Sequence, residues 1–377
     1  MSSELMPSPY AKFPFDDLFD WYDQHGRDLP WRHRWPTLAP VYHLWLSEIM
    51  LQQTVVATVI PYFLGFIRRW PTVEALAAAP VDEVLAAWAG LGYYARARNL
   101  HKTANIVAAE HGGVFPVDQK TLLALPGIGP YTASAIRVMG YGQPGVVVDG
   151  NIERVMSRFF AIKTPLPKAK IEIAAAYAYS CPDARPSDFP QALMDFANAV
   201  CTPKAPGCSH CPMVGTCRGY LEGIAKKLPQ KAPKRQKPTR HGVVFVAVNK
   251  AGEAFMERRP EKGLLGGMMA FPSVGWTETN GPDADFQVAK TAAPFAAQWR
   301  QLPTPVHHVF THFALEMTIY YAETDQPLTA ANTGWWQVPQ PGQLPSLMRK
   351  VWQQVEKSKP LLAQRKSAST AGDAIGH

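Results

Sequence analysis

Apolar residues recur three and four positions apart through the first 225 residues, as in Leu44, Leu51 and Val55 and again in Val84, Leu85, Trp88 and Leu91. That spacing is the helical period. Alanine-rich stretches such as Ala75-Leu76-Ala77-Ala78-Ala79 and Ala174-Ala175-Ala176 favour the same state. After residue 240 the period changes. Gly242-Val243-Val244-Phe245-Val246-Ala247-Val248 reads as a buried strand, and Phe313, Leu315, Met317, Ile319 and Tyr321 alternate around Glu316 and Thr318. The pattern predicts a multidomain chain: an all-α part to about residue 228, then an α+β part over 241–365. Residues 366–377 are small and polar and are expected to be disordered.

Charge sharpens that division. The net charge of the 377 residues is +8, but residues 1–225 hold 19 basic and 19 acidic side chains. The excess sits in 226–240, with seven cations, no carboxylate and three prolines. Such a stretch reads as a semi-extended interdomain linker, over 229–240, that is either simply solvated or also tracks a phosphate backbone. No apolar run reaches the roughly 18 residues that span a membrane. Met1 to Pro9 lacks the basic-then-apolar layout of a leader, so a soluble, cytoplasmic protein is expected, without a membrane partner.

In such a compartment thiols stay reduced, and close-set cysteines read as metal or redox ligands. Cys201, Cys208, Cys211 and Cys217 are separated by six, two and five residues, and the one other cysteine is Cys181. Only Cys208 and Cys211 make the short hook usual for structural zinc. The unequal flanking gaps suit a [4Fe–4S] cube, while spacing alone leaves zinc open.

Two further segments carry chemistry. In Leu122–Ile136, a helix ends at Pro126, Gly127 and Gly129 flank Ile128, and Pro130 opens a second helix. Backbone N–H groups of such a turn can cradle a phosphate, which positions DNA without reading its sequence. Elsewhere, Glu48 shares an apolar helical stripe with Leu44, Leu51 and Val55; a desolvated carboxylate there gains the raised pKa of a general acid. Asp149 follows the extended Val146-Val147-Val148 and either caps a helix or faces a developing cation. An acid and an anion in one cleft are the pair that breaks a glycosidic bond.

Six segments in order, Leu29-Pro30-Trp31-Arg32, Trp45 to Thr54, Trp88 to Arg96, the hairpin, Val148-Asp149-Gly150-Asn151 and the four cysteines, closely resemble the MutY-type adenine DNA glycosylases of the helix-hairpin-helix superfamily. The C-terminal part resembles that family's Nudix-like domain through Phe310-Thr311-His312 and its strand pattern. The resemblance implies base excision from double-stranded DNA carrying A:8-oxoguanine or A:G mispairs, by a monomer that flips adenine out of the stack. It implies that Glu48 protonates adenine and then activates water, that Asp149 stabilises the sugar cation, and that Tyr131 and Asn151 assist them. Arg27, Trp31, Arg32 and Gln191 would line the adenine pocket. Gln53 and Tyr94 would wedge into the stack, with Leu91 also against substrate. Phe310, Thr311 and His312 would probe the oxidised guanine; Thr311 stands where most members carry serine. Gly127, Gly129 and Thr132 would bind phosphate, and Cys201, Cys208, Cys211 and Cys217 would hold a [4Fe–4S] cluster.

The implied architecture is a six-helix barrel over 36–145, a cluster domain built from 10–35 and 146–228, and a Nudix-like lesion-recognition domain over 241–365. Three rival readings fit the residues less well. An endonuclease III-type lyase needs a lysine in the hairpin helix, where Tyr131 stands and where no lysine lies between Lys120 and Lys163. A Nudix hydrolase needs a run of glutamates, but Glu278 is the only one between Pro272 and Glu316. A non-catalytic iron–sulfur redox sensor has no use for Glu48 with Asp149.

Overall fold

The computed structural model describes residues 12–233, 237–260, 264–277, 291–310, 312–326, 333–342 and 344–358. The N-terminal arm, Thr311, part of the basic stretch and the tail 366–377 therefore lie outside the described residues. Two compact units divide the chain, Met1–Pro233 and Lys234–His377. No described helix is long and apolar enough to cross a membrane.

The first unit is helical and has two main cores. Helices α1 (Phe15–His25), α2 (Val41–Leu51), α3 (Val56–Arg69), α4 (Val73–Ala78), α5 (Val81–Ala87), α6 (Ala95–Glu110), α7 (Gln119–Ala124) and α8 (Pro130–Ala135) lead into a π turn, Ile136–Gly140. Trp45, Leu46 and Met50 of α2 are sealed against Phe63 and Phe66 of α3, Trp88, and Leu100 of α6. Burial of such side chains, about 1.5–3 kcal/mol each, holds these short helices together where propensity alone would not. The second core gathers α9 (Gly150–Phe159), α10 (Lys170–Ser180) and α11 (Asp188–Ala199) around Phe13, Leu18 and Tyr22 from the chain's start. The α1 stripe thus packs far along the sequence, onto Phe159, Phe189 and Phe196. A last short helix, α12 (Arg218–Leu221), follows the fourth cysteine.

The second unit is built on an eight-stranded sheet of β1 (Thr239–Val248), β2 (Ala254–Arg258), β3 (Met269–Ala270), β4 (Ser273–Thr277), β5 (Arg300–Gln301), β6 (Val306–Val309), β7 (Ala314–Glu323) and β8 (Gly334–Gln337). The sheet is mixed. β1 and β7 pair in parallel from Thr239↔Ala314 to Val248↔Glu323, and the other pairs are antiparallel. Leu315, Met317, Ile319 and Tyr321 point to the face covered by Leu347, Met348, Val351 and Val355 of a helix over 346–358. The intervening Tyr320 packs on the opposite face with Phe245. The expected α+β part is thus an α/β domain whose central pair is parallel. Two buried faces explain why β1 reads as a continuous apolar run.

Candidate active site

A cleft in the first unit, with about 550 Å³ of water-accessible space, collects residues from five separate segments. Leu44, Glu48 and Leu51 of α2, together with Val55, form one wall. The apolar stripe around Glu48 is therefore cleft lining. α2 ends at Leu51, and Val55, 69% exposed, precedes α3. Across from it stand Tyr131 of α8, Asp149 and Asn151 at the start of α9, Gln191 of α11, and Arg27, Trp31 and Arg32 from the connection between α1 and α2.

Glu48 faces the cleft, yet dense surrounding protein desolvates it and lifts its pKa from 4.5 to about 7. The Asp149 carboxylate pushes the same way. The Tyr131 hydrogen bond and the Arg32 charge partly oppose the shift. Burial likewise pushes the Tyr131 phenol well up, reinforced by Glu48 and Asp149, so the phenol keeps its proton and donates. Asp149 caps α9: its Oδ1 accepts the backbone N–H of Asn151 at 3.0 Å and of Ile152 at 2.8 Å. Its Oδ2 accepts Asn151 Nδ2 at 2.7 Å. The helix cap that the sequence offered for Asp149 is therefore present, and the capping residue also lines the cleft. Asn151 Oδ1 accepts from Arg154 Nη2 at 3.2 Å, and Arg154 Nε reaches the Cys201 carbonyl at 2.8 Å.

The other expected site residues lie elsewhere. Gly127 and Gly129 sit in the hairpin turn whose following helix carries Tyr131 into the cleft. Gly127 takes φ +79°, open to glycine, and Gly129 borders open space. Thr132 is buried. Gln53 is exposed at φ +61°, in the turn beside the cleft residues Gln52 and Thr54. Leu91, which the sequence reading set against substrate, is buried in the first core, and Tyr94, its expected wedge, packs half-buried against that core. The neighbouring Tyr93, missed by that reading, is 66% exposed at φ +49°. Adjacent tyrosines look alike in sequence, and the backbone turn decides which one projects. Phe310 and His312 belong to the turn between β6 and β7, with the Phe310 ring 4.6 Å from His308 and 4.9 Å from Phe313. Asp195, also missed, is buried and bound to Arg27 and Arg32.

Cys201, Cys208, Cys211 and Cys217 line one apolar cavity with Val155, Phe159 and Met213. Burial raises the thiols of Cys201, Cys211 and Cys217, that of Cys211 to about 12, and neighbouring cysteines raise them further. Against this, Arg158 Nη1 donates to Cys201 Sγ at 3.3 Å, and backbone N–H groups reach Cys211 and Cys217. Four half-buried sulfurs facing one space, with N–H donors aimed at three of them, fit a cationic metal–sulfur centre that offsets the thiolate charge. Among the described residues, no three His, Cys, Asp or Glu side chains gather as tightly as a single metal ion requires.

Residues 46–178 match the HhH-GPD superfamily of base excision DNA repair proteins, and residues 243–354 match the NUDIX domain. The helical unit is thus a base-excision glycosylase core joined to a Nudix-like domain. The adenine DNA glycosylase of Homo sapiens is 35% identical over 378 residues, spanning 84% of this chain and 68% of its own length. That of Mycolicibacterium smegmatis is 42% identical over 208 residues, 55% of this chain and 70% of its own. A solved thermostable thymine-DNA glycosylase is similar at a TM-score of 0.49 and 29% identity, over 55% of this chain and 94% of that one. The chain belongs to the adenine DNA glycosylases, monofunctional DNA glycosylases that hydrolyse N-glycosyl bonds in base excision repair.

Proposed function

We propose that the cleft excises adenine mispaired with 8-oxoguanine, and with guanine, from double-stranded DNA. The observation that carries this reading is Glu48 with a pKa of about 7 in the same cleft as Asp149. A carboxyl titrating near neutrality can protonate the flipped adenine, which turns a poor leaving group into a good one. Asp149, held by three N–H donors, faces the sugar as it becomes an oxocarbenium-like cation. Glu48, now a base, takes a proton from the attacking water. Tyr131 donates to Glu48 and Asn151 steadies Asp149. Arg27, Trp31, Arg32 and Gln191 receive the base. Gln53 and Tyr93, exposed on turns with strained backbone, fill the gap in the stack. Phe310, Thr311 and His312 read the opposite base, and the hairpin N–H groups of the Gly127 to Thr132 turn grip a phosphate.

The four cysteines would hold a [4Fe–4S] cluster, whose iron supplies the positive charge that keeps buried thiolates ionised and ties the 201–217 loop together. The protein acts as a monomer in the cytoplasm, on nucleoid DNA. The test is single-turnover cleavage of A:8-oxoguanine, A:G and A:C duplexes with purified protein, with abasic sites revealed by alkali. Excision fastest on A:8-oxoguanine, next on A:G, is expected, from a protein holding about four iron atoms per chain. No adenine release from any duplex sinks the reading. An active, colourless protein with one zinc removes the cluster alone.

A further inference from the structure

The structure assigns a role to one buried carboxylate that the chemistry above leaves unused. Asp195 lies one turn beyond Gln191 on α11 and is only 2% exposed. It stands behind the cleft wall and does not itself line the cleft. Its partners come from the α1–α2 connection, 163 and 168 residues earlier in the chain. Oδ1 accepts Arg27 Nε at 2.8 Å and forms the ion pair with Nη2 at 2.7 Å. Oδ2 accepts the Arg27 backbone N–H at 2.7 Å and Arg32 Nη1 at 2.7 Å. Four donors fill the acceptor positions of one carboxylate. A guanidinium gripped along one edge has its plane fixed, and its remaining N–H groups point away from the grip. Both guanidiniums belong to cleft-lining residues.

We propose that Asp195 is a positioning residue for adenine excision: it orients the free edges of Arg27 and Arg32 toward the acceptor nitrogens of the flipped purine and offsets the Arg32 charge at Glu48. The inference rests on the adenine-excision reading. Its charge logic follows from what surrounds the two carboxyls. Glu48 is faced by Tyr131 from α8, Asp149 from the start of α9 and Arg32 from the α1–α2 connection. Asp195 is faced by Arg27, Arg32 and the Tyr22 hydroxyl of α1. Arg32 is the cation common to both sets, and it favours the ionised form of Glu48. Removing the Asp195 charge leaves Arg32 uncompensated, so Glu48 should lose its proton at lower pH.

The test is the pH profile of the single-turnover rate on an A:8-oxoguanine duplex, for wild type, Asp195→Asn and Asp195→Glu. Wild-type excision is measured in parallel; its absence sinks the adenine reading, whereas the outcomes below concern Asp195 alone. Asp195→Asn is expected to slow excision at pH 7.5 by about tenfold or more, as a small misplacement of reacting groups does. The falling basic limb of its profile is expected to move acidward by roughly half a pH unit. The rate loss should therefore shrink toward pH 5.5. Asp195→Glu keeps the charge and lengthens the reach, so its limb should stay at the wild-type position while its rate falls. A slow Asp195→Asn enzyme with an unmoved limb overturns the proposal, because a merely structural role does that. If Asp195→Asn does not fold, Asp195→Glu keeps the proposal falsifiable: a wild-type rate, or a limb displaced from the wild-type position, overturns it.

Discussion

Glu48 costs the fold something wherever it is ionised. Its pKa is raised from 4.5 to about 7 by burial, so the native protein binds a proton more tightly than the unfolded chain does. The penalty is therefore absent below about pH 4.5, grows as pH rises, and is complete above about pH 7. Glu48→Gln mimics the protonated acid at every pH. The variant is expected to melt above wild type at pH 8 and level with it at pH 4.5, while excision drops by several orders of magnitude. Retention of more than about a tenth of the single-turnover rate, roughly 1.4 kcal/mol of barrier, removes Glu48 from the acid role. Wild-type excision should itself fall as pH rises through about 7. Glu48 was legible in the sequence as a carboxylate in an apolar stripe, and Asp149 as an acid after an apolar run. Asp195 was not: its partners Arg27 and Arg32 are more than 160 positions away, and nothing in its own helix distinguishes it from a surface acid.

At the scale of elements, periodicity located the helices but not the turns that carry the exposed wedge candidates. Gln53 and Tyr93 both take positive φ, which costs a non-glycine residue about 1 kcal/mol or more. One side chain holds both turns. Arg96 Nη1 donates to the Ile49 and Met50 carbonyls at 2.9 Å, and Nη2 to Thr54 Oγ1 at 3.1 Å and the Leu91 carbonyl at 3.0 Å. The guanidinium also lies over the rings of Trp88 and Tyr93. A local pattern does not reveal this clamp, because the end of α2 meets the start of α6 only in three dimensions. Arg96→Met keeps the stem and removes the bonds. The chain should still fold around its first core, with excision from A:8-oxoguanine slowed about tenfold or more, as misplacement of substrate-positioning groups does. Fluorescence of 2-aminopurine at the target position should report less base extrusion. Unchanged extrusion and rate would show that the turns hold their shape without Arg96.

At the scale of the molecule, the change of period near residue 240 was legible, as was the alternation of Leu315, Met317, Ile319 and Tyr321. The parallel pairing of β1 with β7 was not, because it joins segments about 75 positions apart and no local pattern encodes a partner. The turn holding Phe310 and His312 is set by a separate, local pairing, in which β6 returns onto β7 from Val306↔Met317 to Val309↔Ala314. Every residue of the cleft lies before Pro233, and the first unit has its own cores. A chain ending at residue 233 is therefore expected to fold and to release adenine. It should lose about tenfold or more of its preference for 8-oxoguanine over guanine opposite the adenine, since one base-edge contact is worth about 1–3 kcal/mol. Phe310→Ala with His312→Ala in the full chain should reproduce part of that loss. Rates and dissociation constants on A:8-oxoguanine and A:G duplexes, at one stated salt concentration, give the ratio. A truncated chain with an unchanged ratio would make the sheet domain a structural or partner-binding module. A truncated chain that folds but releases no adenine would place part of the chemistry beyond residue 233.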